Sequence, residues 1–181
     1  MKKPFTLVNY NPNWTIMFEQ EKAALQNALG NLIHTIHHIG STAIKTTKSK
    51  PEIDIAIVTV DDSIVINAHP KIERLGYQVR NEMTLPNDKQ KHFYYSKDSN
   101  NVRTHKLHIY GNGHPDILNQ LLFVKYLNEN PIVGEDYAKL KVDLSKKYNY
   151  GNNILKYIDG KTQFIQTILS DAKLKYPNFQ F

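Results

Sequence analysis

Glu52 and Asp54 stand two positions apart in Lys50-Pro51-Glu52-Ile53-Asp54-Ile55-Ala56-Ile57. On a β-strand that spacing turns both carboxylates to one face and Ile53, Ile55 and Ile57 to the other. Two carboxylates facing one way can hold a metal ion against phosphate oxygens. The pair is therefore the candidate Mg²⁺ ligand set and, as Asp54 and Glu52, the candidate catalytic acids. Upstream, His38-Ile39-Gly40-Ser41-Thr42-Ala43 reads as a strand end running into a Gly-Ser turn. Gly40 lets the backbone approach a ligand closely. Ser41 and Thr42 offer hydroxyl and amide donors at the expected start of a helix, where an anion is welcome. His38 is a candidate phosphate-binding residue that also stands where a hydrogen bond orients that turn, and Lys50 neutralises phosphate charge.

A second chemical stretch is Arg103-Thr104-His105-Lys106-Leu107-His108-Ile109-Tyr110. As a strand it puts Leu107 and Ile109 toward the core and Lys106, His108 and Tyr110 on the opposite face. If it lies in the same sheet as Glu52 and Asp54, the two polar faces make one cleft. His105, Lys106 and His108 are then candidate phosphate contacts, with His105 or His108 as a base. The bland alternative is a half-exposed strand with a solvated outer face. His34 and His37 are expected at the surface, since alternation sends His37 and His38 to opposite sides.

The elements that must position these groups read as follows. Thr15 opens a helical pattern carrying Phe18, Ala24, Leu25, Ala28 and Leu29, and Gly30 stops it. Ile33 to Ile39 and Glu52 to Val60 are strands. Between them Ile44 to Lys50 is a cationic loop suited to phosphate or simply to solvent. Asp61-Asp62-Ser63 reads as the cap of a helix from Ile64 to Leu75 with an untidy middle at His69-Pro70. Tyr77 to Arg80, His92 to Ser96 and Val102 to Tyr110 follow as short strands. After Gly111 the pattern turns helical. One stripe runs through Ile117, Leu118, Leu121 and Leu122, another through Tyr137, Leu140, Lys141 and Leu144, and a third helix runs from Ile154 to Ile168. Lys161 could reach a ligand but is placed at the surface, and the tail from Lys173 to Phe181 is expected to be poorly ordered. The fold class expected is a mixed α/β (α+β) sheet with flanking helices and a helical C-terminal part.

The chain has 181 residues, which suits a single domain with a real core (sheet-rich over 9–112, helical over 113–173). It has no cysteine, which excludes disulfides, thiolate metal sites and a Cys nucleophile and fits a cytoplasmic protein. No signal-peptide core follows Lys2-Lys3, and no apolar run is long enough to span a membrane, so no membrane partner is expected. A net charge of +6 favours anionic partners. The lysines are scattered and no nucleic-acid motif accompanies them, so a nucleotide or phosphorylated small molecule is expected in preference to nucleic acid.

The hydrophobic-Gly-Ser turn followed by a carboxylate-bearing strand resembles the nucleotidyltransferase superfamily. The chain is more closely similar to the GrpB family, which carries a His-Ile/Val-Gly-Ser-Thr-Ser/Ala stretch and then Lys-Pro-x-Ile-Asp-Ile. Here those are His38 to Ala43 and Lys50 to Ile55. Leu121 to Leu127, Tyr137 to Lys141, and Tyr157, Lys161, Phe164 and Ile165 resemble further family segments, so the likeness runs from about Asn9 to Leu169. It implies a nucleotidyltransferase-like fold. An active member of the superfamily adds a third acid on a later strand. Arg103 to Tyr110 contains none, and His108 is expected in its place. The resemblance therefore implies one of two things. The first is transfer of a nucleoside monophosphate from a nucleoside triphosphate to a small acceptor with Mg²⁺. The second is a catalytically silent ligand-binding or folding-accessory domain with a protein partner, as in GrpB domains fused to dephospho-CoA kinase.

Overall fold

The computed structural model describes residues 5–60, 64–83, 92–148 and 153–181. Helix α1 (Asn13–Leu29) leads into strand β1 (Ile33–Ile39), and one 3₁₀ turn, Ser41–Ala43, follows. Strand β2 (Ile53–Thr59), helix α2 (Ile64–Arg74) and strands β3 (Tyr77–Met83), β4 (His92–Ser99) and β5 (Val102–Tyr110) come next. Helices α3 (Pro115–Glu129), α4 (Pro131–Tyr148), α5 (Ile154–Asp159) and α6 (Thr162–Lys175) end the chain. Among the described residues no helix is long and apolar enough to cross a membrane.

The described strands form one five-stranded sheet in the order β1-β2-β5-β4-β3. β2 and β5 run parallel at its centre, and the other neighbours are antiparallel. This is the mixed α/β sheet with flanking helices that the pattern called for.

Two-residue alternation sorts the sheet into its layers. Ile53, Ile55 and Ile57 join Leu107 and Ile109 on one face, against Trp14, Phe18, Leu25 and Leu29 of α1 and Ala68 and Ile72 of α2. Each of those three isoleucines is fully buried, which contributes about 1.5–3 kcal/mol apiece. That burial fixes the register of β2, because a one-residue slip would send Asp54 into the core. On the other face Ala56 and Val58 meet Ile39, Tyr110 and Ile117 of α3. A third cluster of Ile44, Leu127, Tyr137 and Ile168 ties the turn region to α3, α4 and α6.

Several expectations are corrected here. Ser41 opens a single 3₁₀ turn rather than a helix, so no helix terminus faces a ligand there. The third C-terminal helix is two, parted at Gly160 and Lys161, where Leu144 packs so tightly that a Cβ on Gly160 would clash. The tail beyond α6 turns back, and Phe181 meets His37 edge-on. The Asp61-Asp62-Ser63 cap lies outside the described residues.

Candidate functional site

Strand pairing builds the site. Ile39 at the end of β1 lies opposite Asp54 on β2, and Asp54 lies opposite Lys106 on β5. The Gly-Ser turn, the acid pair and the β5 lysine are thus brought to one edge of one face. Gly40 adopts φ +68, and its backbone packs on Asp54. A Cβ there would lie 2.9 Å from Asp54 Cβ, which is why only glycine fits.

Behind the turn, His38 stacks on Phe18 of α1 and its Nε2 lies 3.0 Å from Thr42 Oγ1. The Thr42 hydroxyl donates to the Glu52 carbonyl at 3.2 Å. Its one proton is thereby used, so His38 Nε2–H must donate to Thr42. Burial holds the His38 pKa down to about 4 against the pull of Asp54, which keeps the ring neutral. His38 therefore braces the turn from the α1 side and does not line the cleft, which corrects the expectation of a phosphate contact there.

The cleft itself is a cavity of about 530 Å³. Gly40, Ser41, Thr42, Ser49, Lys50, Glu52, Asp54 and Lys106 form its sheet-side wall. Helices α3 to α6 and the Gly160-Lys161 break supply most of the rest, including Asp116, Gln120, Tyr137, Lys141, Tyr157 and Lys161. Lys50 lies over the Phe5 ring at 3.8 Å, and burial lowers its pKa although Glu52 and Asp54 oppose the shift. Lys161 lies over Tyr157 at 4.7 Å, with its pKa lowered to about 8 by burial and by the charges of Lys50 and Lys106. Lys141 is only 2 % exposed, and its Nζ has no hydrogen-bond partner among the described residues. Its neighbour is the Tyr137 ring at 4.6 Å, and burial followed by the charge of Lys161 lowers its pKa to about 7.

The acid pair is not open. Lys106 Nζ lies 2.7 Å from Glu52 Oε2 and 3.4 Å from Asp54 Oδ1. Burial works against this ammonium, but Asp54 and Glu52 together outweigh it, and its pKa lies above the ordinary lysine value. Among the described residues no group of three or more His, Cys, Asp or Glu is placed to hold a metal ion. Mg²⁺ takes a near-octahedral shell of oxygens. One or two carboxylates can contribute to that shell, but here Glu52 is bonded to the Lys106 ammonium and Asp54 is ion-paired with it, so the donor set as it stands does not fit the ion.

The other histidines take different places. His105 points to the opposite face, where it is buried beside Glu21 of α1, 3.9 Å away, and bonds Thr104. The reading of His105 as a phosphate contact is corrected: alternation along β5 separates it from Lys106. His108 shares the cleft face but lies deeper, opposite Ala56, and does not line the cavity. It bonds His92 at 2.9 Å and stacks on Tyr94, and burial holds its pKa near 4. The β5 residue opposite Asp54 is Lys106, so the place expected of His108 belongs to the lysine. Lys45 and Lys48 line a separate shallow depression with Glu135 and Lys139, so the cationic loop contributes only Ser49 and Lys50 to the cleft. Lys161, placed at the surface from sequence, lines the cavity. Lys141 was read only as part of an apolar stripe. A lysine on such a stripe between Leu140 and Leu144 is the signal that it has something to reach.

A family model described as GrpB protein matches residues 4–171. UPF0157 protein YqkA of Bacillus subtilis is 34% identical over 172 residues, which is 95% of this chain and 48% of that protein. The chain thus spans about half of that relative's length. The glutamate-rich protein GrpB of Alkalihalophilus pseudofirmus is 30% identical over 167 residues, covering 91% of this chain and 94% of that protein. The crystal structure of GrpB from Enterococcus faecalis superposes with a TM-score of 0.83 at 32% identity, covering 94% of this chain and 99% of that one. The Cid1 poly(U) polymerase structure matches with a TM-score of 0.52 at 13% identity, over 78% of this chain and 43% of that one. That last likeness is one of fold.

Proposed function

The chain belongs to the GrpB family, and from that premise we propose that its cleft binds a phosphorylated small molecule of the nucleotide class. The observation that carries this reading is the convergence of Lys50, Lys141 and Lys161 on one cavity beside the Gly40-Ser41 turn. A buried ammonium without a partner costs several kcal/mol, and an anion delivered by a ligand removes that cost. About 530 Å³ falls in the range of small-molecule sites. Tyr137, Tyr157 and Phe123 add aromatic surface for the uncharged part of the ligand. The nucleotidyltransferase-like fold supports a nucleotide in preference to other phosphorylated compounds. Transfer of a nucleoside monophosphate to a small acceptor is a further step that such a fold permits. The engagement of Glu52 and Asp54 by Lys106 favours binding alone.

Isothermal titration with ATP, ADP and inorganic phosphate tests the reading in the wild type and in Lys141→Met and Lys161→Met. Saturable binding that weakens at least tenfold in each variant is expected, the scale of one charge-assisted hydrogen bond. No binding by the wild type, or binding indifferent to both substitutions, overturns it. Release of pyrophosphate from a nucleoside triphosphate would replace binding with transfer as the function.

A further inference from the structure

The β5 residue that faces the acid pair is a lysine, and its contacts define what the site can take. Asp54 and Lys106 are register partners on adjacent parallel strands, so both side chains leave the sheet on the same face at the same level. Glu52 is one two-residue step along the same face. The Lys106 ammonium reaches both, at 2.7 and 3.4 Å. A cation so placed lies where a metal bridging the two carboxylates would have to lie. The contact with Glu52 is a charge-assisted hydrogen bond, among the stronger kinds in proteins, and Asp54 adds an ion pair. A divalent ion would have to break both contacts, shed water and leave a half-buried ammonium beside itself. Lys50 and Lys161 stand close enough to act electrostatically on this group, so the surroundings add positive charge. Among the described lining residues the one carboxylate on the helical wall is Asp116, in the first turn of α3.

We propose that Lys106 is a built-in counter-cation that replaces the divalent metal of the acid pair, and that the cleft takes its phosphorylated ligand in the metal-free form. This rests on the phosphate-binding reading of the cleft and narrows it. The lysines neutralise the phosphates directly, so a nucleotide free of Mg²⁺, with its higher negative charge, is the better ligand. Magnesium then competes with the protein for the nucleotide instead of joining it there.

Two measurements test this separately. The first uses no nucleotide: free Mn²⁺ is followed by electron paramagnetic resonance in wild type, Lys106→Met and Lys106→Arg. Wild type and Lys106→Arg are expected to leave Mn²⁺ free, and Lys106→Met to bind one ion at least tenfold more tightly. Wild-type Mn²⁺ binding that Asp54→Asn removes would overturn the proposal. If Lys106→Met does not fold, the wild-type result still decides. The second titrates ATP into wild type with and without excess Mg²⁺. Binding weakened severalfold by Mg²⁺ is expected, and binding strengthened by Mg²⁺ overturns the proposal. A wild type that binds ATP under neither condition removes the phosphate-binding reading and the metal-free-ligand half of this proposal with it. The Mn²⁺ measurement still decides the role of Lys106.

Discussion

Gly40 and Asp54 are packed so closely that a Cβ on Gly40 would come within 2.9 Å of both Cβ and Cγ of Asp54. The turn and the acid strand therefore act as one unit. Gly40→Ala adds this clash to a backbone conformation, φ +68 and ψ −168, that side-chain-bearing residues avoid. Such strain costs about 1–3 kcal/mol before the clash is counted. Urea denaturation should show a loss of at least that size, and ATP binding should fall with it.

Lys141 predicts an unusual pH dependence. Its folded pKa is about 7 against an ordinary 10.5, so between those values the unfolded chain holds more protons. Stability contributed by the neutral amine is therefore absent below about pH 7 and grows as pH rises toward 10.5. Denaturation midpoints should climb across that window in the wild type and climb less in Lys141→Met. Ligand affinity should move the other way, because an anion needs the ammonium form. Sulfate, whose charge does not change over this range, should bind more weakly as pH rises through 7 and 8, the values set by Lys141 and Lys161.

These two sites differ in how far sequence revealed them. Alternation was enough to put Glu52 and Asp54 on one face, Ile53, Ile55 and Ile57 in the core, and Lys106, His108 and Tyr110 on the face away from Leu107 and Ile109; that this is the acid side follows from the pairing of β2 with β5. Burial of three isoleucines makes that register energetically rigid, which is why a local pattern could be trusted. What lay beyond reach was depth along a face and approach from another layer. His108 and Lys106 share a face, yet one is sealed under an aromatic stack and the other reaches the carboxylates. Lys141 lies on α4 and Lys161 at the break between α5 and α6, and the packing of these elements against the sheet depends on contacts distant in the chain. His105 was misplaced for a simpler cause, since the same alternation that separates Leu107 from Lys106 separates His105 as well.

His108 should matter to stability and not to binding. Its ring bonds His92 and stacks on Tyr94 beneath the cavity. His108→Ala is expected to cost about 2–4 kcal/mol through the void and the lost hydrogen bond, as read by thermal denaturation. The folded variant should keep wild-type ATP affinity, so a selective loss of binding would return His108 to the site. Its pKa near 4 lies below the ordinary 6.5. The stability that depends on a neutral ring is therefore held above pH 6.5 and lost as pH falls toward 4. His108→Phe should make that acid loss shallower.

Thr42 links His38 to the Glu52 carbonyl, so it transmits position from α1 to the acid strand. Thr42→Val keeps the shape and removes both hydrogen bonds. A loss of about 1–3 kcal/mol is expected, since the carbonyl and the imidazole are left without this partner. Thr42→Ser keeps the hydroxyl and should recover most of the ATP affinity that Thr42→Val loses.

The pairing of Asp54 with Lys106 joins strands that α2, β3 and β4 separate in the chain. A parallel contact of this kind forms only after the intervening segment has closed on itself, at an entropic cost that local helices do not bear. The cleft is consequently one of the last features to assemble during refolding. Partly collapsed species should therefore be blind to the ligand, and recovery of binding should lag behind recovery of helical signal.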